Sequence, residues 1–224
     1  PKLRQKLFWK TVKLGKKKHL QGRLGFFEGL ADKVLDRLVR AKVKARFGGR
    51  NKALISGGAP LNYEIGLFFT ALGLRLLQGY GQTETAPIVS CNRAHKIKLE
   101  TVGPPFPGVE VRIADDGEIL VRGELAMLGY WNDPEATAET LRDGWVHTGD
   151  VGEIDGDGFI KITDRKKDII VLSGGDTLSP QRVEGFLQLE PEIAQAMVAG
   201  DKQPYLIGLI VPDAEAAREW AKAN

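Results

Sequence analysis

A mixed fold is predicted by three features of the sequence: a β-α-β start, an antiparallel β meander in the middle and a small α+β module at the end. Apolar strand-like segments flank a helical segment between residues 52 and 78. Short strands punctuated by Asp-Gly and Gly-Asp-Gly turns occupy the stretch from Val109 to Thr163. A strand-helix-strand-strand-helix order follows Asp168. With 224 residues, 42% hydrophobic and 27% charged, the composition is that of a soluble globular protein, and neither wholesale disorder nor a membrane-embedded class is favoured.

Between Lys2 and Lys18, Leu3, Leu7, Phe8, Val12 and Leu14 interleave with eight lysines and arginines, the pattern of an amphipathic helix with a cationic face. The apolar stripe is imperfect, so a solvated helix face or a surface loop competes with attraction to anionic lipid, and no nucleic-acid motif accompanies the charge. From Phe27, the spacing of Leu30, Ala31, Val34, Leu35 and Leu38 predicts one helix to about Phe47, stopped by Gly48 and Gly49. Lys52 to Ile55 reads as a short buried strand, Asn62 as the cap of a helix through Phe69, and Leu74 to Gln78 as a second strand. That order suggests parallel strands whose end loops bind a ligand. Leu67, Phe68 and Phe69 on the helix are read as core in preference to the lining of a tunnel.

The meander is expected from Val109 to Ile113, Ile119 to Arg122, Gly152 to Asp155 and Phe159 to Thr163. Asp155 and Asp157 do not make a calcium loop, because its glycine would fall at Ile160 and its final glutamate at Lys166. Beyond the charged run Asp164 to Asp168, Ile169 to Leu172 is a strand, and Ser179 with Pro180 opens a helix expected to bury Val183, Phe186 and Leu187. Gln195 to Val198 and Leu206 to Val211 are strands, and Asp213 caps an alanine-rich helix. The charged run is the expected joint, with domains over 1–166 and 167–224.

Charge is distributed unevenly: residues 1–50 hold 16 Lys/Arg against 3 Asp/Glu, while the remainder holds 16 against 26. The basic start motivates an expectation of peripheral membrane contact. Cys91 is the sole cysteine, and no apolar run approaches the length of a membrane span, so a cytoplasmic setting is expected.

Three segments carry candidate chemistry. Ser56-Gly57-Gly58-Ala59-Pro60 lies between a strand and a helix, where small residues let a flat ring lie against the backbone, although a plain tight turn is the commoner use. In Gly79-Tyr80-Gly81-Gln82-Thr83-Glu84, Tyr80 can stack on a purine, the Thr83 hydroxyl can bond a phosphate oxygen and Glu84 can hold magnesium. A core Tyr80 and a solvated Glu84 are an equal reading without context. Asp150 could accept from two vicinal ribose hydroxyls or be structural, and His147 is read as a surface or packing residue.

Five ordered segments carry a resemblance: SGGAPL at 56–61, QGYGQTE at 78–84, GYWNDPEAT at 129–137, GWVHTGD at 144–150 and ITDRKKDIIVLSGG at 162–175. They closely resemble the adenylate-forming superfamily of acyl-CoA synthetases, luciferases and peptide-synthetase adenylation domains, and most of all its bacterial long-chain fatty acyl-CoA synthetases. The resemblance implies the latter part of a large adenylate-forming domain, then a hinge and part of a small α+β C-terminal domain. It implies that Gly58, Ala59 and Pro60 flank the adenine of ATP or AMP, that Tyr80 stacks on it, and that Gln78, Gly79 and Gly81 line its pocket. Thr83 would touch the α-phosphate, Glu84 the magnesium, Asp150 the ribose hydroxyls and Arg165 the ribose or phosphate, with Ile162 beneath the nucleoside. Lys167 matches the hinge, and Ser173, Gly174 and Gly175 match the loop along the CoA pantetheine path.

The resemblance also has gaps. The family's Ser/Thr/Gly-rich triphosphate loop and its late lysine that contacts the substrate carboxylate are not in this sequence. The expectation is therefore a piece of an acid-thiol ligase acting on a fatty acid, inactive by itself and prone to self-association through uncovered apolar faces. A noncatalytic AMP/ATP-binding module and a fatty acyl-AMP ligase serving a carrier protein are the alternatives.

Overall fold

Lys2–Gln21 is helical throughout (α1) in the computed structural model, which describes residues 2–223. Its buried residues are Thr11, Val12, Leu14 and Gly15, while its lysines cover the other faces. Gly15 permits close packing on the next long apolar helix, Tyr63–Ala71 (α4), because a Cβ there would lie 2.6 Å from the Ala71 Cα. Val12, Ala71 and Leu72 form a small core with Phe8, Val43 and Phe68 against it. Phe68 also sits 6.1 Å from Phe8 and 5.8 Å from Phe69 by ring centroid, which answers the core-or-tunnel question for Phe68 in favour of core.

The helix expected to Phe47 is present but not uniform. Phe26–Leu35 (α2) passes into a wide π-helical turn, Asp36–Arg40, before Ala41–Arg46 (α3). The turn coincides with a buried charge: Arg40 Nη2 bonds Asp32 Oδ1 at 2.7 Å and Nε donates to the Ala71 carbonyl at 2.8 Å. Both side chains are under a tenth exposed, so removing either partner would cost about 3–5 kcal/mol by stranding the other charge. On the apolar stripe only Leu35 is buried; Phe27, Leu30, Val34 and Leu38 remain exposed.

The predicted β-α-β unit is observed. Leu54–Ser56 (β1) and Leu76–Tyr80 (β2) are parallel, joined by α4, and Ser90–Cys91 (β3) adds antiparallel to β2. Asn62 caps α4 through Oδ1, which accepts from Glu64 N at 2.9 Å. Two expectations need correction. Both strands begin two residues later than predicted, and β1 is not buried, since Ile55 is 71% exposed. It is an edge strand with one neighbour among the described residues.

Glu110–Ile113 (β4), Glu118–Arg122 (β5), Leu141–Arg142 (β6), Trp145–Ile154 (β7) and Ile160–Arg165 (β8) form a five-stranded sheet in the order β4-β5-β7-β6, with β8 also on β7. Pro134–Thr140 (α5), absent from the sequence-based prediction, begins at Asp133, whose Oδ1 accepts from Ala136 N at 2.9 Å. The strand expected at Gly152 to Asp155 is the end of the ten-residue β7, which also carries the Trp145 to Asp150 motif.

By contacts the chain forms two compact units. The first comprises the chain up to Val111, Val121–Val146 and Ile154–Lys161; the second comprises Arg112–Leu120, His147–Glu153 and the chain from Ile162. In the second unit Ile170–Val171 (β9) and Thr177–Leu178 (β10) form a hairpin, Pro180–Leu187 (α6) lies on Ile193–Ala199 (β11), and β11 pairs antiparallel with Ile207–Pro212 (β12). The terminal helix Ala214–Ala223 (α7) is capped by Asp213, as predicted. The burial predicted for α6 is not found: Phe186 is 59% exposed and Val183 and Leu187 are partly covered. A two-stranded hairpin has too little surface to enclose both ridges of a helix.

Candidate functional site

In the first unit, the parallel pairing of β1 with β2 sets Ser56 beside Gln78, so their following loops start side by side. Gly57 lies close enough to Gly79 that a Cβ would sit 3.3 Å from its carbonyl oxygen. Gly58, Ala59 and Pro60 are exposed beyond the strand, with Gly58 at a φ of 81°, a conformation that favours glycine. The structure thus brings the Gly57 and Gly79 segments together.

Gln78, which the resemblance placed at the adenine pocket, is turned inward. Its side chain is buried and donates from Nε2 to the Leu99 carbonyl at 2.6 Å, because β2 extends to Tyr80 and holds residue 78 inside the sheet. Tyr80 is likewise 8% exposed. Gly81 has a structural reason for its identity: a Cβ would meet the Pro87 carbonyl oxygen at 2.0 Å.

After Gly81 the chain makes a short 3₁₀ turn, Thr83–Thr85. The fully buried Thr85 holds it, its hydroxyl accepting from Gln82 N at 3.1 Å and donating to the Gln82 carbonyl at 3.0 Å. Thr83 is exposed, whereas Glu84 is half-buried and accepts at Oε1 from the Tyr130 hydroxyl at 2.6 Å. Oε2 makes no hydrogen bond among the described residues. A single hard oxygen donor of this kind suits magnesium, which takes one or two carboxylates and completes its shell with phosphate and water. No cluster of three metal-ligating side chains occurs among the described residues.

In the second unit, Asp150 on β7 is 4% exposed, and its Oδ1 accepts from Arg165 Nε on β8 at 2.9 Å. Asp150 N donates to the Thr148 hydroxyl at 3.1 Å, and that hydroxyl donates to the Ile119 carbonyl at 2.7 Å. The buried Glu118 accepts from Gly149 N at 2.8 Å and Lys166 Nζ at 2.8 Å, and lies 3.1 Å from His147 Nδ1. Burial pushes the Glu118 carboxyl up, but the donors from Lys166, Gly149 and His147 outweigh it and leave its pKa below the ordinary value. Lys166 also reaches Asp116 at 2.5 Å, and Asp116 first and Glu118 second raise the ammonium pKa. This network ties the part of β7 bearing Asp150 to the segment bearing Arg165. Glu118 was missed in the sequence because its partners lie 29 to 48 residues away.

Ile162 is half-buried on β8 and Lys167 is exposed directly after Lys166. Ser173, Gly174 and Gly175 are exposed in the turn between β9 and β10, closed by Gly175 N donating to the Leu172 carbonyl at 2.9 Å, with Gly175 at a φ of 90°. A separate cleft of about 570 Å³ lies between α1, α2 and the π-turn, lined by Lys18, Asp32 and Arg40 among others. None of the motif residues borders it, and its buried charges bond one another.

Glycine-rich turns thus follow two neighbouring strands in the first unit, and a buried aspartate is bonded to an arginine on the adjacent strand in the second. Residues 5–131 match the AMP-binding enzyme family and residues 167–223 its C-terminal domain, so the chain belongs to the AMP-binding enzyme family. Among curated relatives it is 47% identical over 191 residues to the long-chain-fatty-acid–CoA ligase FadD15 of Mycobacterium bovis, covering 85% of this chain and 32% of that one. It is 33% identical over 228 residues to human long-chain-fatty-acid–CoA ligase 1, covering 96% and 32%. The chain therefore spans about a third of the length of these relatives. Among solved structures, the o-succinylbenzoate CoA synthetase of Bacillus subtilis with its acyl-adenylate intermediate gives a TM-score of 0.65 at 27% identity, covering 82% of this chain and 43% of that one. The amide bond synthetase McbA of Marinactinospora thermotolerans gives 0.59 at 33% identity, covering 77% and 40%.

Proposed function

We propose that this chain is the nucleotide-binding part of an ATP-dependent ligase that activates a long-chain fatty acid as its adenylate and transfers the acyl group to CoA. The likeness to FadD15 over 85% of the chain carries this reading. In the first half-reaction a carboxylate oxygen bonds to the α-phosphorus of ATP and the bond to pyrophosphate breaks. In the second, the CoA sulfur bonds to the acyl carbon and AMP leaves. Asp150 accepts from the ribose hydroxyls, Arg165 holds Asp150 and reaches the sugar or phosphate, and Thr83 bonds the α-phosphate. Gly58, Ala59, Pro60, Gly79 and Gly81 flank the adenine, Ile162 packs under the nucleoside, and Tyr80, 8% exposed, stacks on the adenine only through the part of its ring left uncovered. Glu84 would hold magnesium, which would supply positive charge at the phosphates. Lys167 serves as the hinge and Ser173, Gly174 and Gly175 as the pantetheine path.

The direct test is calorimetric titration of the folded chain with AMP and a nonhydrolysable acyl-adenylate, beside Asp150→Ala. Binding that this substitution weakens supports the reading; no binding overturns it.

The basic α1 and the exposed Phe27, Leu30, Val34 and Leu38 support a peripheral contact with anionic membrane, in a protein otherwise acting in the cytoplasm. Sedimentation with anionic vesicles that falls steeply with salt tests it, and self-association through the same exposed face would show as a concentration-dependent mass.

A further inference from the structure

The Glu84 carboxylate is not simply solvated at the end of its turn. Its backbone carbonyl accepts from Met127 N at 2.9 Å and its side chain accepts from the Tyr130 hydroxyl at 2.6 Å, so a loop 46 residues away grips both. That loop is itself fixed. Tyr130 N donates to the Thr137 hydroxyl at 2.9 Å, and Thr137 in turn donates to the Asp133 carbonyl at 2.7 Å, anchoring the loop on the first turn of α5. Gly129, at a φ of 148°, passes so near Thr137 that a Cβ would meet its Cγ2 at 2.8 Å. All these residues belong to the first compact unit.

We propose that Tyr130 is a positioning residue for the divalent cation: its phenol holds Oε1 of Glu84 and thereby leaves Oε2 set in one orientation as the cation's oxygen ligand. The inference rests on the reading of Glu84 as the magnesium ligand and adds a residue that this reading does not contain. An ordered donor also removes the rotamer search that a free glutamate would make on capturing the cation.

The test uses the full chain, Mn²⁺ as the probe and ATP as its carrier, with the free Mn²⁺ signal read by electron paramagnetic resonance, and AMP binding without metal read by calorimetry. Tyr130→Phe is expected to weaken ATP-dependent Mn²⁺ binding by about tenfold, the scale of one hydrogen bond to a charged group, while AMP affinity stays within about twofold. Glu84→Gln should weaken Mn²⁺ binding at least as much, and the double substitution should be no worse than Glu84→Gln alone, since the phenol acts only through the carboxylate. Unchanged Mn²⁺ binding in Tyr130→Phe, additive losses in the double variant, or an equal loss of Mn²⁺ and AMP affinity would each overturn the proposal. So would a wild-type chain that binds AMP yet shows no ATP-dependent Mn²⁺ binding. Failure of the folded wild-type chain to bind AMP would instead remove the underlying reading, and the proposal with it.

Discussion

Arg165 reaches Asp150 from the neighbouring strand, Nε to Oδ1 at 2.9 Å, so the two residues expected at the ribose are bonded to each other. The aspartate is buried and the arginine side chain is 57% exposed, which gives them unequal parts. Asp150→Ala should weaken AMP binding by about 1.5–3 kcal/mol for each ribose hydrogen bond removed. Arg165→Ala should weaken it less, because solvent screens the exposed guanidinium. Calorimetry on both variants checks the order; a larger loss in Arg165→Ala would reverse the assignment.

Glu118→Gln removes the charge at the centre of the network that joins Gly149, His147 and Lys166. The amide keeps one acceptor but cannot satisfy all the donors, so urea unfolding at neutral pH should show a loss of about 1–3 kcal/mol. The folded pKa of Glu118 lies below its ordinary 4.5, so this stabilisation is fully present above about 4.5 and is lost as pH falls through the folded value. The gap between wild type and variant should therefore narrow in acid. A gap that does not change with pH would place the effect in packing and not in charge.

Acid stability should also depend on Lys98. Its ammonium bonds Asp155 and lies 2.8 Å from Asp157, and Lys98 first, then backbone N–H donors such as that of Phe159, hold the Asp155 carboxyl at about 2 against an ordinary 3.8. A lowered folded pKa contributes stability above the unfolded value that is lost as pH falls from about 3.8 towards about 2. Lys98→Met should move the acid-unfolding midpoint upward, as followed by circular dichroism. An unmoved midpoint would mean that these exposed charges add nothing measurable.

Gly81→Ala should destabilise the chain more than Gly58→Ala, although both glycines belong to motifs assigned to the nucleotide. The added methyl at 81 would overlap the Pro87 carbonyl oxygen at 2.0 Å, and backbone there cannot give way cheaply. At 58 the methyl meets open space and the cost is the φ of 81°, about 1–2 kcal/mol. Thermal unfolding of the two variants gives the comparison directly.

Much of the fold was legible because its signals are local. The three-and-four spacing after Phe27, the Asn62 and Asp213 caps, and the glycine-rich ends of β1 and β2 each depend on residues within about one helical turn of one another. Misread elements had a cause outside their own segment: β1 lies at a bare edge, Phe186 lies over a sheet too narrow to cover it, and the π-turn at Asp36–Arg40 coincides with a buried arginine that bonds Ala71.

The sequence by itself determined the family, the order of the elements and the candidate residues, since ordered motifs survive in one dimension and a cap or turn is read from its neighbours. Only the tertiary structure decided which candidates are presented and what holds them. Gln78 is turned inward to Leu99, Glu84 is gripped by Tyr130, and Glu118 joins the part of β7 bearing Asp150 to the segment of Arg165. Each of those bonds joins residues 21 to 48 positions apart, and a hydrogen bond's strength depends on a distance in space that no spacing along the chain encodes.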